Sequence, residues 1–375
     1  MRLDTRFERT ALGIGAAGLL ISGLGTLVAG ADQFFRSYLV GLLFWIGISF
    51  GCLAIQMIHT LSGGAWGELA KRPLYAASST MPLCALLFVP LLLGLGRLYP
   101  WARPEVMQHD ELLRHKAIFL NTPFFALRAA IYFAVWSGLA LALYRRAVRR
   151  AGREGSSRGM RILAGPGIVA CGLTMTFAAI DWLMSLDPHW TSTMFGLLVI
   201  VGALLSGMAF TILIVTSAEE EREIPIGALH DLGNLMLVFV LIWAYFSFSQ
   251  YLIIYAGNMA EETPWYVHRT EGGWQHLALG LIVLHFAVPF VVLLSRRTKR
   301  TPKVVRVVAL GVLAMRLVEL FWFAAPNFYG HHLHVHWMDI TAPIGLGGIW
   351  LYYFSRRMAA FGAPAAPAKP ALHPA

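Results

Sequence analysis

DWLMSLDPHWTSTMF, residues 181–195, places two carboxylates, an imidazole and two tryptophans between two long apolar runs. The preceding run, 162–184, is long enough to span a bilayer core at about 1.5 Å per residue and should end near this stretch. Amphipathic indole rings favour the headgroup level, where the N–H can stay wet. Trp182 and Trp190 therefore predict a membrane edge here.

The charged residues of this stretch have both structural and chemical interpretations. Asp187 is predicted to cap a helix that begins at Pro188, since proline is tolerated at the first helical position. Asp181 lies on the apolar side of the edge, where a carboxylate needs a partner or a water-filled cavity. Asp181, Asp187 and His189 are candidates for a proton path, and capping of helix ends is the simpler alternative.

The composition indicates an integral membrane protein. Of the 375 residues, 57% are hydrophobic and only 13% are charged, and the mean hydropathy is +0.62, which excludes an ordinary soluble globular protein. The net charge of +10 does not indicate a nucleic-acid partner, because the basic residues lie in short loops between apolar runs. Cys52, Cys84 and Cys171 lie in apolar runs without metal or haem spacing, so we expect packing roles.

Hydropathy predicts an all-α integral membrane protein with about ten transmembrane helices. The predicted membrane domain is 1–357, and a disordered Pro/Ala-rich tail is predicted at 358–375. LVAGA near residue 30 resembles a signal-peptidase site, but its apolar run exceeds the length of a signal peptide, so a retained first helix is predicted. The ten predicted spans are 10–30, 37–62, 74–98, 122–145, 162–184, 194–217, 232–256, 274–295, 304–324 and 337–357.

The distribution of lysine and arginine predicts the orientation. The N-terminus, the loops that follow even-numbered spans and the C-terminus carry 22 of these residues, whereas the loops on the opposite face carry 6. Positively charged loops favour the cytoplasmic side of a membrane. Both termini are therefore predicted to be cytoplasmic.

Five segments together resemble a known family. The chain is similar to the F subunit of bacterial alternative complex III, a quinol:cytochrome c (or electron-acceptor) oxidoreductase, within the NrfD/PsrC-like family of membrane subunits. The resemblance covers residues 10–357. It rests on HTLSGGAWGELAKRPLYAAS (59–78), LLGLGRLYPWARP (92–104), FLNTPFFALRAAIYFAVW (119–136), DWLMSLDPHWTSTMFG (181–196) and WAYFSFSQYLIIYAGNMAEETPWYVHR (243–269).

This resemblance implies an architecture and a set of partners. It implies two four-helix bundles, spans 2 to 5 and 6 to 9, with spans 1 and 10 as peripheral helices in a bacterial inner membrane. It implies no redox cofactor in this chain, since quinol (menaquinol), haem c and iron-sulfur clusters belong with the partner subunits. The implied partners are a sister NrfD-like membrane subunit, an iron-sulfur subunit, a multihaem cytochrome c subunit, small membrane-anchored subunits and lipid.

Arg316 and Glu319 are the charged residues predicted closest to the membrane centre. They lie three residues apart in span 304–324 and therefore share one helix face. A charge at this depth is costly, and an ion pair lowers the cost without removing it. The pair is either structural glue between helices or a proton site with Glu319 as the carrier, because desolvation and the neighbouring charge act on Glu319 in opposite directions.

Two histidines are further candidates. His285 falls near the middle of span 274–295, and His59 lies near the cytoplasmic end of span 37–62, followed by Glu68 at the membrane edge. An isolated intramembrane histidine is commonly a hydrogen-bonded core residue, so structural and proton-carrying roles both stay open. A b-type haem would need two facing axial ligands, which these separate histidines do not indicate.

Arg128 and Asp181 have comparable depths in neighbouring spans. We predict an interhelical ion pair between them, with a structural or a proton-exit role. Tyr245, Gln250 and Tyr251 supply hydroxyl and amide groups that could hold water, although tyrosines near helix ends are commonly interface anchors.

The loop 330–337, GHHLHVHW, is rich in histidine. A zinc or copper site would use these imidazoles, but no cysteine and no pair of HxxxH motifs accompanies them, so a solvated loop is the favoured interpretation. The histidines concerned are His331, His332, His334 and His336.

Three functions are consistent with these patterns. The first is a cofactor-free membrane subunit of a quinol-oxidising respiratory complex that provides a proton path and a docking surface, without being catalytic alone. The second is a secondary transporter of a small solute or ion, although paired broken helices of an inverted repeat are not evident. The third is a structural membrane scaffold in which each buried polar group is simply satisfied.

Overall fold

The described chain is helical. A computed structural model describes residues 5–150, 157–217, 224–330 and 332–361, and these ranges contain no strand. The α-helices are α1 (Thr5–Leu24), α2 (Thr26–Ser62), α3 (Ala65–Ser78), α4 (Met81–Leu93), α5 (Leu95–Leu98), α6 (Pro104–His109), α7 (Glu111–Lys116), α8 (Thr122–Arg149), α9 (Arg158–Trp182), α10 (Phe195–Ser217), α11 (Ile226–Gly257), α12 (Thr263–Thr270), α13 (Trp274–Gly280), α14 (Val288–Leu294), α15 (Pro302–Ala324), α16 (Pro326–Tyr329) and α17 (Met338–Phe361). A π-helical segment, Leu281–Ala287, joins α13 to α14.

Seven helical segments of the described chain are long and apolar enough to cross a membrane. This pattern is that of a multi-pass, all-α membrane protein, and it confirms the predicted fold class at that level. The segments are Thr26–Ser62, Ala65–Leu93, Thr122–Arg149, Arg158–Leu186, Phe195–Ser217, Ile226–Gly257 and Trp274–Leu294. Helices α1, α15 and α17 are also 20 or more residues long, and helices overlap each predicted span.

The helix contacts include two closed groups of four helices. In one group α2 contacts α4, α4 contacts α8, α8 contacts α9, and α9 returns to α2. In the other, α10, α11, α14 and α15 close a similar ring. Helix α10 joins the groups because it packs on both α2 and α9, whereas α1 packs on α17, which in turn packs on α2 and α3.

Close helix contact between the two groups depends on glycine. A Cβ atom at Gly51 of α2 would lie 1.9 Å from the carbonyl oxygen of Ala203 in α10, so no larger residue fits there. Gly207 faces the same point from α10. Small residues that let backbones approach are typical of helix pairs in membranes.

The backbone break between the first two predicted spans lies at Gly30, the predicted end of the first span. Helix α1 ends at Leu24, and α2 begins at Thr26. Gly30 inside α2 has φ of 81°, a left-handed conformation that glycine adopts without steric cost. A single turn residue, Gly25, already separates α1 from α2 before this break.

The third predicted span, 74–98, begins earlier and is interrupted. Helix α3 starts at Ala65, and α4 starts at Met81 after a short break. Pro82 at the beginning of α4 fits this break, because a residue there needs no intrahelical N–H bond.

The prediction for Asp187 is also wrong. Helix α9 ends at Trp182, a 3-10 turn covers Met184–Leu186, and α10 begins only at Phe195. The carbonyl of Asp187 instead accepts a hydrogen bond from the N–H of Trp190 at 3.1 Å, which closes a turn. No helix therefore starts at Pro188.

Trp182 and Trp190 do not have wet indole N–H groups. Both side chains are 2% exposed, and neither Nε1 atom has a hydrogen-bond partner in the described chain. The turn places Trp190 in a stack on Trp265, with 4.6 Å between ring centroids and an interplanar angle of 14°. Packing against neighbouring helices thus overrides the headgroup preference of these two rings.

The last helix extends further than predicted. Helix α17 ends at Phe361, inside the predicted tail 358–375. Phe361 packs on Tyr75 and Tyr144, with centroid distances of 5.9 Å in each case, and these contacts hold the end of α17. The rest of the predicted tail, 362–375, lies outside the described residues.

Candidate functional site

Helices α10, α11, the π-helical segment and α15 direct polar side chains to one point. Ser206, Trp243 and His285 each lie near the midpoint of their helical segments. Arg316 and Glu319 reach the same point from α15, and none of the five residues is more than 5% exposed. We call these five residues the central cluster.

Glu319 is the acceptor at the middle of the central cluster. It forms an ion pair with Arg316, which confirms the predicted contact between residues three apart on one helix face. Trp243 donates its Nε1–H to Glu319 Oε1 at 2.7 Å. Arg316 also donates from Nε to Ser206 Oγ at 3.4 Å, so the pair is tied to α10 and α11.

His285 completes the cluster without a hydrogen bond. Its Nε2 lies 4.0 Å from Glu319 Oε2, and neither ring nitrogen has a hydrogen-bond partner in the described chain. The ring meets Trp243 edge-on, with 4.5 Å between centroids. The segment that carries His285 is π-helical, a rare geometry that is frequent at functional sites.

The central cluster can therefore hold a proton. A carboxylate and an imidazole face each other just beyond hydrogen-bond distance, and Arg316 supplies a compensating charge. A small cavity of about 20 Å³ adjoins Arg316 and Ser206 between the two helix groups, which is room for one water molecule. Within the central cluster, sequence spacing alone predicts only the contact between Arg316 and Glu319.

Gly202 provides the space that the Arg316 guanidinium occupies. A Cβ atom at this position would lie 2.1 Å from Arg316 Nη2. We expect Gly202→Ala to push the guanidinium away from Glu319 and to lower the free energy of unfolding by about 1–3 kcal/mol. Gly311→Ala is the matched control, because nothing lies within 4 Å of its Cβ position in α15. Thermal unfolding in mild detergent measures both, and equal midpoints would contradict the prediction.

Arg128 and Asp181 form the predicted interhelical pair between α8 and α9. Arg128 Nη2 and Nε donate to the two oxygens of Asp181 at 2.7 and 2.9 Å, and Tyr132 donates its hydroxyl at 2.7 Å. Arg128 Nη1 also donates to the carbonyl of Phe119 at 2.8 Å, and its guanidinium lies over the Phe119 and Phe124 rings. Asp181 is fully buried, and both carboxylate oxygens are satisfied.

Asp187 and His189 lie apart from both clusters, in the loop before α10. His189 Nε2 is 2.7 Å from Asp110 Oδ2 at a largely exposed site. The N–H of Leu113 hydrogen-bonds to Asp110 and lowers the pKa of that carboxyl group, with a smaller effect from His189. Burial lowers the pKa of Arg269 to about 9. The negative charge of Asp187 opposes this change, because it favours the charged guanidinium.

His59 and Glu68 lie at the turn between α2 and α3. His59 Nε2 bonds to the carbonyl of Gly64 at 3.0 Å, and its ring packs on Trp66 at 4.9 Å. A Cβ atom at Gly67 would collide with this ring, which explains the last glycine of the GGAWG motif (63–67). Glu68 forms an ion pair with Lys71 at 3.1 Å in the first turn of α3. These contacts give both candidates a local structural role.

The three polar candidates of α11 separate into two classes. Tyr245 and Tyr251 are 65% and 43% exposed, so they face away from the packed interior between the helices. Gln250 is 1% exposed and receives a hydrogen bond from Ser192 Oγ at 3.5 Å. None of the three contacts the central cluster in the described structure.

The His-rich loop forms ring contacts. His334 packs on Tyr329 and lies 6.3 Å from the ring of His336. Among the described residues, no group of three or more His, Cys, Asp or Glu side chains is placed to hold a metal ion. His331 lies outside the described residues.

Two members of the central cluster were missed from the sequence. Ser206 is an isolated hydroxyl in a long apolar run, and Trp243 is the first residue of the segment 243–269, whose predicted site residues are Tyr245, Gln250 and Tyr251. Intramembrane polar residues of this kind are candidates for function. Spacing could not show that both approach Glu319, because the contacts are between helices far apart in the sequence.

No known protein-family model matches this chain. No curated protein matches it either.

Proposed function

We propose that this chain is a cofactor-free membrane subunit of a quinol-oxidising respiratory complex, and that the central cluster carries protons within it. The observation that carries the proposal is the buried Glu319 carboxylate, which lies 4.0 Å from His285 Nε2 and beside Arg316, while the His285 ring has no hydrogen-bond partner in the described chain. An ionisable residue buried in a membrane helix costs free energy, so such residues are rare and commonly mark functional sites. The resemblance of the five sequence segments to alternative complex III supports the choice of complex.

The proposed membrane arrangement has ten crossings. Each ring of four contacting helices would be one bundle, and α1 and α17 would be the peripheral pair. Support comes from the seven long apolar segments, from the length of α1, α15 and α17, and from the concentration of lysine and arginine on alternate loops. Both termini would then lie in the cytoplasm of a bacterial cell, with the loop 181–195 outside.

Cysteine labelling tests this arrangement. Ser62 ends α2 and is exposed, and Gln108 is an exposed residue of α6. Ser62→Cys should label only from the cytoplasmic side, and Gln108→Cys only from the outside, in intact cells and inverted vesicles. The native cysteines give little background because all three are buried. Labelling of both positions from one side would refute the ten-crossing arrangement.

Purification in mild detergent tests the proposed complex. Haem and iron-sulfur absorbance that co-purifies with the tagged chain, together with quinol oxidation, is the expected result. A colourless homo-oligomer that exchanges a solute would instead identify a transporter. A colourless assembly without transport would identify a scaffold.

A further inference from the structure

Helix α11 exposes a hydroxyl group near the middle of the membrane. Tyr245 is 65% exposed, and it lies 14 residues after Asp231 and 13 residues before Asn258, two polar residues near the ends of α11. At about 1.5 Å per residue its Cα is about 20 Å from each of them, whereas the whole hydrocarbon core of a bilayer is about 30 Å thick. The side chain is too short to carry its hydroxyl to either headgroup region. Tyr245 therefore does not act as an interface anchor.

Ser249 places a second hydroxyl one turn further along the same face of α11. Residues four apart on a helix are neighbours on its surface, and Ser249 is partly exposed. Neither the Tyr245 nor the Ser249 hydroxyl has a hydrogen-bond partner in the described chain. Ser206 and Thr211 of α10, by contrast, donate to the carbonyls four residues before them. Two hydroxyls of α11 thus point outward side by side without an acceptor.

Lipid alone does not satisfy these two hydroxyls. Acyl chains carry no hydrogen-bond acceptor, and the bilayer core contains no water to replace one. A hydroxyl that is left unpaired in an apolar environment is costly. The occupant of this face therefore offers hydrogen-bond acceptors near the centre of the membrane.

Exposed large side chains extend beyond the two hydroxyls along much of α11. They recur every three or four residues and so form one stripe, which spans 15 residues or about 21 Å. We call this set the α11 stripe; it comprises Leu241, Tyr245, Phe248, Leu252 and Tyr255. A ring-sized molecule covers about one turn of a helix, whereas a second helix covers the whole stripe. The length of the stripe thus favours a helix as the occupant.

We infer that the α11 stripe packs against a transmembrane helix of another protein subunit. The partner helix carries small residues opposite the bulky side chains of the stripe, and a Ser, Thr or Asn side chain that accepts from Tyr245 and Ser249. A second copy of this chain fits less well, because two bulky stripes would face each other across the contact. The inference rests on the proposed membership of a multisubunit complex, but not on the proton role of the central cluster.

Site-specific photocrosslinking in native membranes tests the inference. A p-benzoylphenylalanine in place of Phe248 keeps an aromatic ring on the α11 stripe and leaves both hydroxyls intact. We expect a crosslinked peptide from a transmembrane helix of a different chain, with small residues and a Ser, Thr or Asn at the crosslinked turn. A crosslink to lipid alone, to a quinone or to a second copy of this chain would overturn the inference. Haem that still co-purifies in that case would leave the proposed function standing and refute this contact alone.

Loss of the two hydroxyls should weaken the contact. Tyr245→Phe with Ser249→Ala removes both of them without adding bulk, so the crosslink yield after dilution of the membranes with added lipid should fall about tenfold. Tyr255→Phe is the matched control, because Tyr255 lies two residues before the end of α11, where a hydroxyl reaches the headgroup region. It should keep the wild-type yield. All three substitutions face outward, so the thermal midpoint should not change, and an unchanged yield in the double variant would contradict the inference.

Discussion

Glu319→Gln is expected to slow proton-coupled quinol oxidation by about 100-fold, the scale on which a positioned acid or base contributes to a rate. Glutamine keeps an Oε1 acceptor for the Nε1–H of Trp243, which lies 2.7 Å away in the wild-type protein. It removes the titratable group that faces His285. Steady-state turnover and proton release per quinol, measured on the purified complex in vesicles, give the result directly.

The same substitution should also destabilise the protein. Arg316 would remain buried without its counter-charge, and breaking a buried ion pair typically costs about 3–5 kcal/mol. Glu261→Gln is the matched control, since Glu261 is exposed in the loop after α11. It should leave both turnover and the thermal midpoint unchanged.

A double variant separates the proton role from the structural role. Arg316→Met with Glu319→Leu removes both charges and replaces them with apolar groups, which is often neutral or stabilising for a buried pair. Its thermal midpoint should recover relative to Glu319→Gln, whereas proton transfer should stay defective. Full proton-coupled activity in this double variant would reduce the central cluster to a structural contact.

The sequence predicts those helices and breaks that leave a local physical signal in it. Long apolar runs define where helices lie, because a helix satisfies the hydrogen bonds of its own backbone N–H and C=O groups inside a membrane. Breaks inside an apolar run are poorly defined by hydropathy, as the interruption after Ser78 shows. Helix ends such as Phe361 depend on aromatic contacts with distant residues, which no local window contains.

The candidate site divides in the same way. The Arg316–Glu319 contact follows from a spacing of three residues on one helix, so the sequence predicts it. The approach of His285 and Trp243 depends on how α11, the π-helical segment and α15 pack, and spacing does not specify that. The π-helical geometry itself has no local signature, because His285 is surrounded by ordinary apolar residues.

Asp181→Asn is expected to lower the free energy of unfolding by about 3–5 kcal/mol, because Arg128 would lose its counter-charge at a buried site. Arg128→Met with Asp181→Leu should recover most of this loss. The matched control is Asp32→Asn, whose ion pair with Arg97 is about half exposed at both partners and is worth at most about 1 kcal/mol. Thermal unfolding of the four proteins in detergent ranks these costs.

The Arg128–Asp181 pair should differ from the central cluster in its effect on proton transfer. Each Asp181 oxygen accepts at least one of the three hydrogen bonds from Arg128 and Tyr132, whereas neither ring nitrogen of His285 has a hydrogen-bond partner in the described chain. A satisfied ion pair stabilises helix packing, and a carboxylate beside an unpartnered imidazole can exchange a proton with it. The folded Arg128→Met, Asp181→Leu protein should therefore keep wild-type proton release per quinol. A loss of proton release in that protein, at a wild-type thermal midpoint, would place the exit of the proton path at Asp181 instead.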